Sequence, residues 1–236
     1  MSESQARGLH PEGRPRRVRG IAAAAVVVVA VVASLVVWQP WKSPSPKLSL
    51  PAQACWGVLT GEDLRPLVGK NGTVTTETNT TTLQDTPQAT NSGYRCSVYW
   101  KDGKTPLYLG DGPMVILTTA DDLRGYQRID VSSGKAQSLN FGDGNIAWEA
   151  NTNVDWLNLA IPCSFQDSVA GKSYNGYARI QMDMFPNPSG PPAPTSDVRQ
   201  ADAAIVLKVA KAFAQQYPCT GVTLPANPPT MPPLPS

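Results

Sequence analysis

The chain has 236 residues, of which 41% are hydrophobic and 16% are charged, and its formal net charge is +2. This composition is typical of one globular domain with appended segments, and it excludes a strongly basic nucleic-acid-binding protein and an acidic disordered chain. The single histidine, His10, lies in residues 1–20, a tail that also holds five of the twenty basic residues and two of the eighteen acidic ones. Chemistry that needs an imidazole is therefore excluded beyond residue 20.

An uninterrupted apolar run, IAAAAVVVVAVVASLVVW, occupies residues 21–38. As a helix that rises about 1.5 Å per residue it would be roughly 27 Å long, enough for a hydrocarbon core of ~30 Å. Arginines precede the run, and Trp38 and Trp41 follow it, which matches the positive-inside rule and an interfacial aromatic belt. We therefore expect one transmembrane helix at 21–38, a basic cytoplasmic tail at 1–20, and a cell-membrane protein whose remaining residues are extracytoplasmic.

A cleaved signal peptide is the alternative interpretation of the same segment. The residues Val31-Val32-Ala33 offer a small-residue cleavage pattern after an apolar stretch. The apolar run continues through Trp38, however, and is longer than the apolar region of an ordinary signal peptide. A retained signal anchor is therefore favoured.

All four cysteines, Cys55, Cys96, Cys163 and Cys219, follow the apolar run. Four cysteines allow three pairings, and disulfides are typical of proteins outside the cytoplasm. We favour Cys55–Cys96 and Cys163–Cys219, because these bonds close loops of about 40 and about 56 residues, each worth roughly 4 kcal/mol in the chain-entropy model. Zinc is the alternative ligand, but no CxxC spacing and no nearby histidine support it, so no metal site is expected.

Composition divides the extracytoplasmic part into a Pro-rich linker at 39–53, a folded domain at 54–222 and a Pro-rich tail at 223–236. The domain begins with a pattern that resembles a capping box, Thr60 with Asp63, which predicts a helix over 61–68. Residues 73–90 contain nine threonines. They predict a loop or a flat, weakly specified hairpin.

Alternation of apolar and polar residues predicts strands around residues 96–100, 146–150, 157–161 and 177–184, and an apolar run predicts another at 114–117. Two further helices are expected, one at 121–128 with Thr119 near its cap and one at 197–216 capped by Thr195 or Ser196. On a helical wheel the last helix directs an apolar stripe to one side and places four polar residues on the other: Arg199, Lys208, Lys211 and Gln215. These elements predict an α+β fold with helices packed on an antiparallel sheet.

Four segments, PAQACWGVLTGEDLRPLVG, YRCSVYW, IPCSF and AIVLKVAKAFAQQYPC, carry a resemblance to a family. They resemble a group of actinobacterial membrane-anchored or lipid-anchored extracytoplasmic proteins of uncharacterised function, and more distantly the two-disulfide extracytoplasmic sensor domains of mycobacterial serine/threonine kinases. The resemblance covers residues 51–219 and implies a compartment and a fold, not an activity. The chain departs from the sensor kinases because only 20 residues precede its predicted span, too few for a kinase domain.

The search for catalytic chemistry leaves one enzymatic option. Without a histidine in the domain, Ser-His-Asp and Cys-His arrangements are impossible there. Paired carboxylates could still cleave a glycoside, and the candidate acids are Asp121, Asp122, Glu149 and Asp155. Ordinary surface acids, or acids beside a helix N-terminus, explain the same four residues, so a non-enzymatic role without a cofactor is favoured.

Strand alternation also yields a candidate binding surface. It places ten residues toward the core: Cys96, Val98, Trp100, Leu157, Leu159, Ile161, Ala178, Ile180, Met182 and Met184. Tyr99, Trp156, Tyr177, Arg95 and Arg179 then lie on the opposite face, with the aromatic and arginine character found where proteins bind partners or sugars. The alternative is that a second layer, formed by the first helix or the Thr-rich segment, covers these rings and makes them core.

The sequence thus favours a single-pass membrane-anchored extracytoplasmic binding or sensing module with an unknown envelope ligand or protein partner. A carboxylate-dependent hydrolase of cell-envelope glycans and a structural partner of another membrane protein are the two alternatives. A groove that brings two acids within about 5–10 Å would favour the hydrolase. An exposed apolar patch of several hundred Å² would favour the structural partner.

Overall fold

The computed structural model of the chain describes residues 47–84, 93–101, 108–132, 136–151, 155–167, 170–184, 195–217 and 219–233. The helices are α1 (Gly61–Leu64, continued by a 3₁₀ turn at Arg65–Leu67), α2 (Ala120–Ser132) and α3 (Ser196–Gln216). The strands are β1 (Thr73–Thr78), β2 (Gly93–Lys101), β3 (Tyr108–Thr118), β4 (Ala136–Leu139), β5 (Ile146–Asn151), β6 (Asp155–Asp167) and β7 (Lys172–Met184).

The seven strands form one sheet in the order β1-β2-β3-β7-β6-β5-β4, and every neighbouring pair is antiparallel. The predicted α+β class with an antiparallel sheet is therefore confirmed. Of the two alternatives for the Thr-rich segment, the hairpin is correct in part, because Thr73–Thr78 pairs with β2 as an edge strand. The other edge strand, β4, was not predicted.

α3 packs on one face of the sheet, which we call the α3 face. Its Phe213 meets Tyr94 of β2 edge-on, with 5.7 Å between ring centroids, and its Ile205, Val206 and Val209 are buried in the same core. Eight of the ten residues predicted to face the core are buried there: Cys96, Val98, Leu157, Leu159, Ile161, Ala178, Ile180 and Met182. Trp100 is half-buried beside them, and the side chain of Met184 lies outside the described residues.

Two disulfides fasten the ends of the domain to the sheet. Cys55 bonds to Cys96 of β2, and Cys163 of β6 bonds to Cys219, which follows α3. Both predicted pairings are confirmed. Each bond therefore joins a segment without regular structure to a central part of the fold, where loop-closure constraint opposes unfolding.

Short polar side chains begin all three helices. The Asp63 carboxylate accepts hydrogen bonds from the backbone N–H and the hydroxyl of Thr60 at 2.7 and 2.9 Å. The hydroxyl of Thr119 accepts from the N–H of Asp122 at 3.1 Å, and the hydroxyl of Thr195 accepts from the N–H of Val198. The predicted starts are confirmed, since these bonds satisfy N–H groups that lack a partner inside the helix.

The expectation that Arg199 faces solvent is wrong. Its guanidinium is buried on the α3 face and forms a two-pronged ion pair with Glu149 of β5, in which Nε donates to Oε1 at 2.6 Å and Nη2 donates to Oε2. Helix α3 is covered on a further side by the C-terminal segment, because the Gln200 amide donates to the carbonyl of Pro229 and the Lys211 ammonium donates to that of Ala226. A helix covered on two sides has no broad solvent-facing stripe.

The folded unit is longer at both ends than the predicted 54–222. Lys47 and Ser49 form β-bridges with Asn71 and Thr73 at the β1 edge, and the segment after α3 packs Leu224 and Met231 against the core. Within the described residues no helix is both long enough and apolar enough to cross a membrane, and the predicted span at 21–38 falls outside them.

Candidate functional site

The second face of the sheet, opposite α3, carries a row of polar side chains, and we call it the α2 face. Strand register aligns Arg95, Met114, Gln181, Asn158 and Trp148 across five neighbouring strands. Directly paired residues of this kind have Cβ atoms about 5 Å apart. Gln181 and Asn158, at the centre of the row, are each only 1% exposed. The centre of the α2 face is therefore both polar and buried.

Arg179 and Tyr177, which share a face of β7 with Gln181, extend this polar region. Register pairs Arg179 with Ile116 of β3 and Ala160 of β6, and pairs Tyr177 with Thr118. Arg179 is 7% exposed, and its guanidinium lies 4.1 Å from the ring centroid of Tyr126 in α2. Such a contact is favourable when the cation is desolvated. Arg179, predicted as part of an open binding surface, is thus buried beneath α2.

Helix α2 is the layer that covers this part of the sheet. Its Leu123 packs with Trp148, Ala150 and Ala160, and Tyr177 packs at the margin of the same cluster. The indole Nε1 of Trp148 donates to the carboxylate of Asp130 at 2.5 Å. A covering layer was considered from the sequence, but α2 provides it rather than α1 or the Thr-rich segment.

Two further predicted residues, Arg95 and Tyr99, lie on β2, toward the β1 edge of the sheet. Arg95 is exposed beside Met114, and Tyr99 is half-buried, with its hydroxyl donating to Glu77 at 3.2 Å. Thr75, which pairs with Tyr99, is exposed on the same face. The side chain of Trp156 lies outside the described residues. The structure therefore divides the predicted set into an open pair, Arg95 and Tyr99, and a covered pair, Tyr177 and Arg179.

Three residues of the α2 face did not appear among the predicted binding residues: Thr118, Asn158 and Gln181. The signal was present in the alternation of β6 and β7, where Asn158 separates Leu157 from Leu159 and Gln181 separates Ile180 from Met182. Polar residues at such positions are normally assigned to solvent. The helix on this face is distant in sequence from both strands, and the local pattern contained no indication that the two amides are buried.

Buried polar atoms in this region are incompletely satisfied. Neither the Oδ1 of Asn158 nor the Oγ1 of Thr118 has a hydrogen-bond partner among the described residues. A buried polar atom without a partner costs about 1–3 kcal/mol. By contrast, the buried carboxylate of Glu149 on the α3 face accepts two bonds from Arg199 and one from Gln137 at 2.8 Å. The α2 face therefore holds two oxygen atoms that have no hydrogen-bond partner among the described residues.

The candidate carboxylates do not converge. Glu149 is held by Arg199 on the α3 face, whereas Asp121 and Asp122 lie in the first turn of α2 on the other side of the sheet. Asp121 pairs with Arg124, and Asp122 accepts a bond from Thr119 at 2.8 Å. The side chain of Asp155 lies outside the described residues. In the described part of the chain no group of three histidine, cysteine or acidic side chains could hold a metal ion.

Ion pairing also connects α1 to α3. The Lys208 ammonium donates to both oxygens of Asp63, at 2.8 and 2.7 Å. Burial by itself would raise the pKa of Asp63, but the hydrogen bonds from Lys208 and Thr60 outweigh it and hold the pKa below its ordinary value of 3.8. This pair is a structural contact on the side of the molecule away from the α2 face.

Comparisons with protein-family models, with curated proteins and with solved structures find no significant match to the chain. The residues of the α2 face and the sequence before residue 47 therefore provide the basis for a functional proposal. The resemblance to actinobacterial extracytoplasmic proteins stays a prediction.

Proposed function

We propose that the chain is a single-pass membrane-anchored protein whose extracytoplasmic domain binds a ligand or partner on the α2 face. Two disulfides support the compartment, because such bonds persist outside the reducing cytoplasm. The apolar run at 21–38, with arginines before it, supports the anchor and its orientation. Kinship with actinobacterial extracytoplasmic proteins, and a sensing role like that of the kinase sensor domains, belong to the same proposal.

The observation that carries the binding role is the buried polar row of the α2 face. A helix that only completes a core is stabilised mainly by apolar contacts, as α3 is, and the buried Arg199 and Glu149 beneath α3 pair with each other. α2 begins two residues after Thr118 and contacts Arg179 through Tyr126, while Asn158 and Gln181 lie on the same face of the sheet, and all four residues are at most 7% exposed. Two of them, Thr118 and Asn158, each keep a buried oxygen that has no hydrogen-bond partner among the described residues. Departures from packing rules of this kind are expected at functional sites. We infer that these groups are kept to recognise a polar ligand.

The alternatives are weaker on the same evidence. Hydrolysis of a glycan needs two carboxyl groups within about 10 Å across one bond. Glu149 lies on the opposite face of the sheet from Asp121 and Asp122, and these two neighbours are engaged by Arg124 and Thr119. A structural partner role needs an extended apolar surface. α2 does expose Ile129 and Val131, at 67% and 55%, but two side chains are fewer than an extended apolar surface needs.

Protease accessibility in intact cells tests the anchor and its orientation. The full chain would carry one epitope tag at each terminus. We expect external protease to remove the C-terminal tag and leave the N-terminal tag attached to membranes. Removal of the N-terminal tag, or recovery of the C-terminal tag from sealed cells, would overturn the proposed topology.

Photo-cross-linking tests the binding surface. A photoreactive amino acid replaces Thr75, exposed beside Tyr99 on the α2 face, or Ala204, exposed on α3, as the matched control. We expect an adduct at position 75 that Arg95→Ala reduces, and none at position 204. Equal adducts at the two positions, or none at either, would overturn the assignment. The mass of the adduct distinguishes a small ligand from a protein partner.

A further inference from the structure

Three lysines meet at the corner of the domain where the chain enters it. Lys47 forms a β-bridge with Asn71, the residue after Lys70, and Lys101 pairs with Thr73 at the start of β1. Ser49, two residues after Lys47, forms a β-bridge with the same Thr73, so the segments that carry Lys47 and Lys101 lie on the two sides of β1. Since neighbouring strands lie about 4.8 Å apart, the three lysine backbones fall within roughly 15 Å. We call Lys47, Lys70 and Lys101 the lysine corner.

The lysine corner brings together three positive charges. All three side chains are exposed, and none forms an ion pair with another described residue. Between residues 47 and 76 the acids are Glu62 and Asp63, which pair with Arg65 and Lys208. Asp102 follows Lys101 in sequence and lies outside the described residues. Among the described residues, the charge of the corner is therefore available to an anionic partner.

Chain connectivity identifies that partner. Only eight residues, 39–46, separate the predicted span from Lys47. At about 3.3 Å per residue they reach no farther than roughly 30 Å. If the span anchors the chain as proposed, Lys47 is held within that distance of the bilayer, and Lys70 and Lys101 are held with it. The nearest extended anionic surface is then the membrane itself.

We propose that the lysine corner binds the anionic headgroups of the bilayer in which the chain is anchored. A lysine beside an anionic membrane contributes on the order of a 5-fold gain in binding, and the contribution falls off within a Debye length. This contact would restrict how the domain turns on its short linker. The inference rests on the proposed anchor, but it does not depend on the ligand of the α2 face.

Lysine acetylation of the full chain in lipid nanodiscs tests the proposal. Discs contain either phosphatidylcholine alone or phosphatidylcholine mixed with phosphatidylglycerol, and acetylation rates are read by mass spectrometry. Lys172 is the matched control, because it is exposed, has no ion pair among the described residues and starts β7 at the opposite end of the sheet. We expect acetylation of Lys47, Lys70 and Lys101 to slow several-fold in anionic discs, and that of Lys172 to stay unchanged.

Added salt and lysine substitutions test whether slower acetylation comes from electrostatic contact between the lysine corner and the anionic lipid. Added salt should restore the acetylation rates in anionic discs. Lys70→Gln combined with Lys101→Gln should raise the rate at Lys47 there, whereas Lys172→Gln should not. A chain that elutes with the discs but is acetylated equally in both lipids overturns this inference alone. A chain that elutes apart from the discs overturns the anchor and this inference together.

Discussion

Removal of one partner of the buried ion pair between α3 and β5 should destabilise the domain strongly. The side chains of Arg199 and Glu149 are only 6% and 5% exposed. Arg199 donates two hydrogen bonds to the Glu149 carboxylate, and Gln137 donates one more. Arg199→Met fills similar volume but leaves the charge of Glu149 buried with one bond. We expect a loss of about 3–5 kcal/mol in the free energy of unfolding, a large share of the roughly 5–15 kcal/mol typical of a domain.

A second substitution separates the cost of the unpaired charge from the value of the pair. Arg199→Met with Glu149→Leu removes both buried charges, so the double variant should recover most of the loss. Urea unfolding of the full chain with its disulfides intact compares the single variant, the double variant and a control variant with wild type. The control, Arg124→Met, removes an ion pair that is 62% and 87% exposed and should leave the midpoint unchanged. A loss below 1 kcal/mol for Arg199→Met, or no recovery in the double variant, would refute this reasoning.

Three further predictions follow from single contacts. Cys219→Ser should lower the free energy of unfolding by about 2–5 kcal/mol, because it frees the segment after α3 from β6; urea unfolding measures the loss. Asp63→Asn should lower the urea midpoint at pH 7. The pKa of Asp63 in the folded state lies below 3.8, so the stability that its charge contributes is present above pH 3.8 and is lost as the pH falls through the folded pKa. The difference in urea midpoint between wild type and Asp63→Asn should therefore shrink below about pH 4. Tyr99→Ala should weaken the photo-cross-linked adduct at position 75 with little change in the unfolding midpoint. Tyr177→Ala, beside the buried α2 cluster, should instead lower the unfolding midpoint. If Tyr99→Ala lowers the midpoint and leaves the adduct unchanged, the Tyr99 ring is structural.

The sheet could be predicted where its strands are central and only in part at its edges. β6 and β7 alternate apolar and polar residues over several two-residue repeats, so the sequence indicated which of their side chains face the core. β4 is four residues long, AQSL, and β1 has Val74 as its one buried residue. Edge strands gain little from burial, and their sequences therefore carry a weak pattern.

The error at Arg199 has a physical cause in tertiary contacts. A helical wheel assigns a charged residue to solvent unless a partner is known. The partner of Arg199 is fifty residues away in sequence, on a strand where Glu149 lies on the same face as Ala147. The cover that Pro229 and Ala226 give to α3 is equally non-local. Only the assembled fold could bring these residues together.

The candidate site shows the same limit. Alternation correctly placed Arg179 and Tyr177 on the face opposite α3, and Tyr99 and Arg95 with them. It could not show that α2 would cross this face, because the position of a helix on a sheet depends on packing and on contacts such as Trp148 with Asp130. The burial of the Asn158 and Gln181 amides became recognisable only in the assembled fold.

Asn158→Val tests most directly whether the α2 face is kept for binding. If the Asn158 amide serves only a ligand, valine removes a buried Oδ1 that has no partner among the described residues and adds a residue that favours strands. We predict that the variant gains about 1 kcal/mol in the free energy of unfolding and loses the photo-cross-linked adduct at position 75. An adduct of wild-type yield, or a less stable domain, would show that Asn158 belongs to the structure and would contradict the proposed function.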